Sequence, residues 1–224
     1  MSEFRYELKF VLNESQLSHL LFLIKLYGFK KHHPKRTINS IYFEDFNFSS
    51  LKDNLSGISK RKKIRLRWYK NDDTAPLLEI KKRSGRVGNK LRLSTPFNNG
   101  NQVENMTSKE IYNILNTEKS LTTNLFIQPH FRPLLYVCYD REYLISHEGI
   151  RLTIDKKIKF SSVSLYDSIN SKKLYSYNKN VIEIKFPLEA KKFLDEILTK
   201  TGLIPSRHSK YLIGTSILGI SSYI

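Results

Sequence analysis

Ten basic residues fall at alternating positions in six short stretches of the sequence: Arg5, Lys9, Arg65, Arg67, Lys81, Arg83, Lys90, Arg92, Arg151 and Lys185. The acids in the same alternating frame are Glu7, Glu79, Asp155 and Glu183. Guanidinium forks bind phosphate oxygens in pairs and ammonium groups act as point charges, so this set suits phosphate chains. Carboxylates among such bases can take a hard divalent ion that draws its remaining ligands from phosphate oxygens. Transfer of a phosphoryl group asks a protein for alignment and cancellation of charge more than for covalent chemistry. Where the acceptor is itself an ionised phosphate oxygen, neither a protein nucleophile nor a strong general base is required.

The segments that position these residues read as strands. Phe4–Phe10, Ile64–Trp68, Leu78–Lys81 (extended by Arg83), Lys90–Leu93, Ile150–Asp155 and Ile182–Phe186 each alternate apolar and charged residues, so each has one face of either kind. Thr37–Phe43 and Leu134–Arg141 are two less regular strands. One such strand alone is best explained by a sheet with one wet face. Six together, with ten bases against four acids, repel one another unless an anion sits among them. The expected fold is therefore α+β: a closed antiparallel barrel with a charged, hydrated lumen, its apolar outside covered by amphipathic helices. The helices are marked by their caps. Asn13 with Gln16 precedes Leu17, Leu20, Leu21 and Ile24, with Gly28 as the stop; Thr107 with Glu110 precedes Ile111, Ile114 and Leu115. Ala190–Leu198 carries a third apolar stripe closed by Gly202 and Pro205, and Tyr211–Ser221 is a last, core-packing helix. Asn98–Asn105 reads as a surface loop.

Composition bounds the partners. The 224 residues fit one domain, spanning 1–224, and 40% hydrophobic content supports a core. The net charge of +17 calls for an anionic partner: nucleic acid, a membrane surface or a phosphorylated small molecule. The single cysteine, Cys138, forms no intramolecular disulfide and sits in an apolar run, where a core position is expected. Met1–Phe10 carries charges unlike a signal peptide, and no stretch of about 18 apolar residues could span a bilayer. A cytoplasmic location is the expectation.

The motifs Phe4–Phe10, Lys63–Tyr69 (KIRLRWY), Leu78–Arg83 (LEIKKR), Tyr139–Leu144 (YDREYL), Arg151–Asp155 (RLTID), Val181–Pro187 (VIEIKFP) and Ser206–Gly214 (SRHSKYLIG) come in the order found in the VTC domain. The chain resembles that family, the polyphosphate polymerase domain of the vacuolar transporter chaperone, within the triphosphate tunnel metalloenzymes (CYTH-like). The resemblance implies a strand tunnel that transfers the γ-phosphate of ATP to a growing polyphosphate chain, with Mn²⁺ or Mg²⁺. By motif match, Lys9, Arg65, Arg67, Lys81, Arg141 and Lys210 are the catalytic phosphate ligands. Lys90, Arg151, Lys185, Arg207 and Ser209 are further binding residues, and Glu183 is the metal carboxylate. The expected partners are ATP and inorganic polyphosphate, with no specific nucleic acid and with room for a membrane-protein partner.

Two departures bear on activity. Hydrolytic relatives open with Glu-x-Glu-x-Lys, whereas this strand reads Arg5-x-Glu7-x-Lys9, which favours polymer synthesis over hydrolysis. Arg207 replaces a frequent Lys. A tunnel triphosphatase and a non-catalytic polyphosphate- or RNA-binding module are the alternatives. For single residues the plainer readings are a solvated strand for Arg65 and Arg67, a salt bridge to Glu79 for Lys81, a surface pair for Glu183 and Lys185, and an ion pair with Asp140 for Arg141. Lys60–Lys63 reads as a basic rim, joined by Lys30, Lys31, Lys35 and Arg36. The six histidines, His19, His32, His33, His130, His147 and His208, have no metal-ligand spacing.

Overall fold

The structure is a computed structural model describing residues 5–85, 87–118, 131–163 and 166–221; Phe4 and His130 lie outside these ranges. The strands are β1 (Tyr6–Leu12), β2 (Lys30–Glu44), β3 (Arg61–Tyr69), β4 (Leu77–Ser84), β5 (Val87–Ser94), β6 (Arg132–Ile145), β7 (Arg151–Ser162), β8 (Tyr175–Tyr177) and β9 (Asn180–Phe186). The helices are α1 (Glu14–Leu26), α2 (Ser49–Leu55), α3 (Gly100–Asn105), α4 (Ser108–Thr117), α5 (Lys191–Thr201) and α6 (Lys210–Ile217). The hydrogen-bonded order is β1-β9-β7-β6-β2-β3-β4-β5, with β8 paired to β7. This is the expected mixed architecture of antiparallel strands with helices. The order has two ends, β1 and β5, so among the described residues the sheet is open rather than a closed ring.

Two compact units divide the chain: Met1–Thr37, Tyr139–Ile158 and Ser176–Ser209 form the first, and Ile38–Cys138, Lys159–Tyr175 and Lys210–Ile224 the second. In the first, β9 pairs on one side with β1 and on the other with β7. Phe10 of β1, Leu152 and Ile154 of β7, and Ile182, Ile184 and Phe186 of β9 share one core with Leu17, Leu20 and Ile24 of α1 and Leu194 and Ile197 of α5. Both caps read from the sequence are present: the Asn13–Gln16 box starts α1, and Gly202, at φ 63°, ends α5.

In the second unit β2, β3, β4 and β5 form a meander. Ile64, Leu66, Trp68, Leu78 and Ile80 pack against Val103 of α3 and Ile111 and Leu115 of α4, with Cys138 partly buried at the edge of that core. The Thr107–Glu110 box starts α4 as expected. Asn98–Asn105, read as a loop, is largely helix. Asn99 caps it by accepting from the Gln102 amide at 3.0 Å, and a Cβ on Gly100 would fall 2.3 Å from the Trp68 ring. The run contains one apolar residue, Val103, so no stripe announced the helix; it is anchored by Glu104, which accepts from Trp68 Nε1 at 2.9 Å and Asn39 Nδ2 at 3.0 Å, and glycine at position 100 leaves room for the Trp68 ring.

In both units the helices cover the apolar face of the strands, as alternation demanded, and the charged faces point the other way. The last helix departs from this rule. Tyr211 of α6 stacks on Tyr42 at 5.2 Å, and Tyr42 is registered opposite Arg65 on the charged face. A Cβ on Gly214 would lie 2.6 Å from Phe160 and 2.8 Å from Leu135, so glycine lets α6 sit down on that side.

Candidate phosphate-binding faces

On the charged face of the second unit one carboxylate gathers four bases. Register sets Arg65 opposite Glu79 and Glu79 opposite Arg92, so β3, β4 and β5 each supply a side chain to one row. Glu79 is 4% exposed. It accepts from Arg65 Nε at 2.7 Å and contacts Arg65 Nη2 at 2.6 Å, Arg67 Nη1 at 3.7 Å and Arg92 Nε at 3.5 Å. Lys90 makes a further, short ion pair with it. Burial alone would raise the Glu79 pKa, but Arg65, Arg67 and Lys90 outweigh it and hold the carboxyl at about 2. Lys90 is lowered to about 8, first by desolvation and then by Arg65 and Arg92, against the upward pull of Glu79.

Tyr42 belongs to the same face. Its hydroxyl accepts from Arg65 Nη1 at 3.0 Å, and Ser40 accepts from Arg67 Nε at 3.3 Å. Burial pushes the Tyr42 phenol up, yet Arg65, Arg67 and Lys63 bring it down to about 8. Behind it Tyr211 donates to Glu44 through a short hydrogen bond, and Glu44 also accepts from the backbone amides of Asp45, Ser50 and Leu51. This buried network ties the start of α6, and with it Lys210, to the end of β2. Lys81 lies on the same face, registered between Lys63 and Lys90, and is exposed.

The charged face of the first unit has a different pattern. Glu7 is registered opposite Lys185 and Lys9 opposite Glu183. Lys9 lies 3.0 Å from Glu7 and 4.0 Å from Glu183, while Lys185 lies 2.6 Å from Glu183 and 3.8 Å from Glu7. Acids and bases thus alternate around a square. Burial would raise the Glu183 pKa, but Lys185, Lys9 and Arg141 lower it. Beside the square, Arg141 donates Nε and Nη2 to the two oxygens of Asp155 at 2.6 and 2.8 Å, and Asp155 is 1% exposed. The partner of Arg141 is therefore Asp155, while Asp140 pairs with Lys35 at 3.0 Å and Thr37 at 2.8 Å. Arg151 is exposed and registered opposite Lys185. Arg207 and Ser209 lie on a segment fixed to β1 by the Ser206 amide, which donates to the Lys9 carbonyl at 2.8 Å.

The implied divalent ion can be tested against this donor set. Among the described residues no three His, Cys, Asp or Glu side chains converge as a metal site. Glu7 and Glu183 are the two carboxylates of the square, and each already holds a cation, the ammonium of Lys9 or Lys185. Two hard oxygen donors fit Mg²⁺ or Mn²⁺ when phosphate oxygens and water complete the shell.

Lys9, Lys185 and Glu183 thus come together in one cluster, and Arg65, Arg67 and Lys90 in another. Sequence reading passed over Glu79 as a hub, Tyr42, and Asp155 as the anchor of Arg141. Glu79 and Asp155 carried a signal, each being the acid of a base-rich alternating strand. Tyr42 carried no such signal, because Ile41-Tyr42-Phe43 reads simply as an apolar run near the end of β2.

Residues 4–219 match the family model of the VTC domain. The chain belongs to the VTC domain family. Among curated proteins, none matches the sequence. Several solved structures resemble this VTC domain. They include HpAC1 from Hippeastrum, which has a dominant triphosphatase activity, at 16% identity and a TM-score of 0.51, covering 95% of this chain and 96% of that one. A conserved protein from Pyrococcus furiosus matches at 12% identity and a TM-score of 0.53, over 93% of this chain and 99% of its own. The PH1819 protein from Pyrococcus horikoshii OT3 has 15% identity and a TM-score of 0.50, over 96% and 99%. At these identities the likeness is one of fold.

Proposed function

We propose that this VTC domain transfers the γ-phosphate of ATP to the end of an inorganic polyphosphate chain, with a divalent ion. The observation that carries the reading is the cluster of Arg65, Arg67, Lys90 and Arg92 around the buried Glu79, a preformed receptor for phosphate oxygens. In the reaction, the terminal oxygen of the chain attacks the γ-phosphorus, the bond to the β-phosphate oxygen breaks, and ADP leaves with that electron pair. No proton need move. Arg65 and Arg67 bind and align the phosphates, and Tyr42 and Ser40 hold the two guanidiniums in place. Lys9, Lys81, Arg141, Arg151, Lys185, Arg207, Ser209 and Lys210 are assigned to further phosphate contacts by motif. Glu183, with Glu7 beside it, would hold the ion, which supplies charge neutralisation at the phosphoryl group.

Access to ATP assigns the domain to the cytoplasm. Among the described residues no helix is long and apolar enough to cross a membrane. The second reading is hydrolysis of triphosphate, the dominant activity of the Hippeastrum protein. Arg5 in place of the first acid of the hydrolytic motif favours synthesis.

Incubation with ATP and Mn²⁺, followed by a polyphosphate-stained gel and a parallel assay of free phosphate, separates the two. A ladder of polymer that is absent for Glu183→Ala supports the polymerase. Free phosphate without polymer moves the assignment to a triphosphatase. Tight polyphosphate binding with neither product leaves a binding module.

A further inference from the structure

Beyond the Glu79 row, the β3–β4–β5 meander pairs cation with cation. Lys63 is registered opposite Lys81, and Lys81 opposite Lys90; one step further out Lys62 meets Lys82, and Arg61 meets Arg83. Like charges directly opposite on neighbouring strands destabilise a sheet. Two of these pairs, Lys63–Lys81 and Arg61–Arg83, stand two residues apart on one face of the meander, where a bound polyanion would relieve them.

Side-chain alternation sorts these pairs by face. Arg61, Lys63, Lys81, Arg83 and Lys90 share the face of Arg65 and Glu79. Lys62 and Lys82 lie on the opposite face, and Lys62 sits 4.5 Å over the ring of Phe131. From the Glu79 row to the Arg61–Arg83 row is four residues, about 13 Å along the strands. Lys81, Arg83 and Lys90 are exposed along this distance. Arg61 and Arg83 donate to backbone carbonyls, of Ile58 at 2.8 Å and of Gly85 at 3.0 Å, which orients both guanidiniums without neutralising them. Gly88 takes the place opposite Arg83 on β5 and leaves that end of the row open.

We propose that this strip is a track for a linear polyphosphate chain, extending the phosphate receptor outward from Glu79 through the Lys63–Lys81–Lys90 row to Arg61 and Arg83. The inference rests on the reading of the Glu79 cluster as a phosphate receptor and adds that the domain discriminates by length. A tripolyphosphate is held by the inner cluster alone, whereas a long chain also engages the track. The partner is a polyphosphate rather than a nucleic acid because residues 77–94 contain no aromatic side chain, and the rings of Tyr42 and Tyr211 on the receptor face are buried, so neither offers a base a stacking surface.

The test measures binding of tripolyphosphate and of long-chain polyphosphate to the whole protein, by calorimetry without metal, for wild type and two double variants. Arg61→Gln/Arg83→Gln removes the outer pair on the receptor face, and Lys62→Gln/Lys82→Gln removes the same number of charges from the other face. The track predicts that the first variant loses about tenfold or more in affinity for the long chain, with a shallower salt dependence, and stays within about twofold for tripolyphosphate. The second variant should stay within about twofold for both ligands. Equal losses in the two variants would reduce the effect to diffuse charge and overturn the track, as would an unchanged long-chain affinity in the first. Displacement of long-chain polyphosphate by single-stranded RNA at equal phosphate concentration would overturn the choice of partner. Failure of wild type to bind tripolyphosphate would instead remove the receptor reading itself. Thermal melting of each variant confirms that it is folded.

Discussion

The charged faces of the two units are built from the same residue types to different balances. In the second unit one acid, Glu79, is shared by Arg65, Arg67, Lys90 and Arg92. In the first, Glu7 and Glu183 alternate with Lys9 and Lys185, and Asp155 is matched to Arg141. A shared acid holds guanidiniums in place while leaving the cluster strongly positive, which suits an anion. A matched square is close to neutral and keeps two carboxylates in reach of a cation. The contrast shows why counting bases on a strand is a poor guide to its ligand: what matters is how many of them one acid must serve.

The sharpest way to break the comparison is to remove the guanidiniums of the second unit. Arg65→Ala/Arg67→Ala deletes two charge-assisted phosphate ligands at about 1.5–3 kcal/mol each, so tripolyphosphate affinity should fall about 100-fold or more. Loss of both also leaves Glu79 with Lys90 and Arg92 for partners. The control is Lys9→Ala, on the balanced face, measured without metal. An equal loss there would mean that the two faces are not distinct in kind, and no loss in the double variant would remove the receptor from the second unit.

Next in size is a test of matching itself. Asp155 is 1% exposed and holds Arg141 by two hydrogen bonds, so Asp155→Ala strands a buried guanidinium. Breaking such a pair from one side costs about 3–5 kcal/mol, which should appear as a large fall in thermal midpoint. Replacing both residues, Asp155→Leu with Arg141→Met, removes the orphan and should recover much of that loss. Melting curves for the single and double variants decide it. If the double variant melts no higher than the single one, Arg141 is not held by Asp155 for stability.

How much of this was legible in the sequence follows from which residues had company. Alternation in β3, β4 and β9 located the strands and sorted their faces, because each had at least two apolar partners at the same spacing. Lys30–Arg36, the first half of β2, did not, because all seven residues are exposed and no apolar face is there to read. α2 was equally silent. Its cap residue Phe48 makes no side-chain hydrogen bond, and the helix is started instead by Glu44 from β2, which accepts from the Ser50 and Leu51 amides. The clusters followed the same logic. Arg65 and Arg67 stood out by spacing, whereas their dependence on Glu79 and Tyr42 is set by cross-strand register, and register is invisible until strands are paired.

The smallest effect expected concerns protons, and it isolates the receptor face. Lys90 and Tyr42 both titrate near 8. Below that pH Lys90 is an ammonium and Tyr42 a neutral phenol, the pair of states that favours an anion. Above it Lys90 loses its charge and Tyr42 becomes a phenolate, and both changes oppose phosphate. Binding of an anion should therefore raise both pKa values, take up protons near pH 8, and weaken as pH rises from about 7 to about 9. Tripolyphosphate titrates as well, so the informative quantity is the ratio of wild-type to variant affinity at each pH, in which the ligand's own protons cancel. Lys90→Arg keeps its charge across this range, and Tyr42→Phe has no proton to lose. Each ratio should drift by about threefold or less across the window, and in the double variant the protein's contribution should vanish. On the matched face Glu183 is moved downward, away from this range. Variants of that face should accordingly follow wild type in parallel at every pH; a drift of equal size for Lys9→Ala would show that the proton is taken up elsewhere than at the Glu79 cluster.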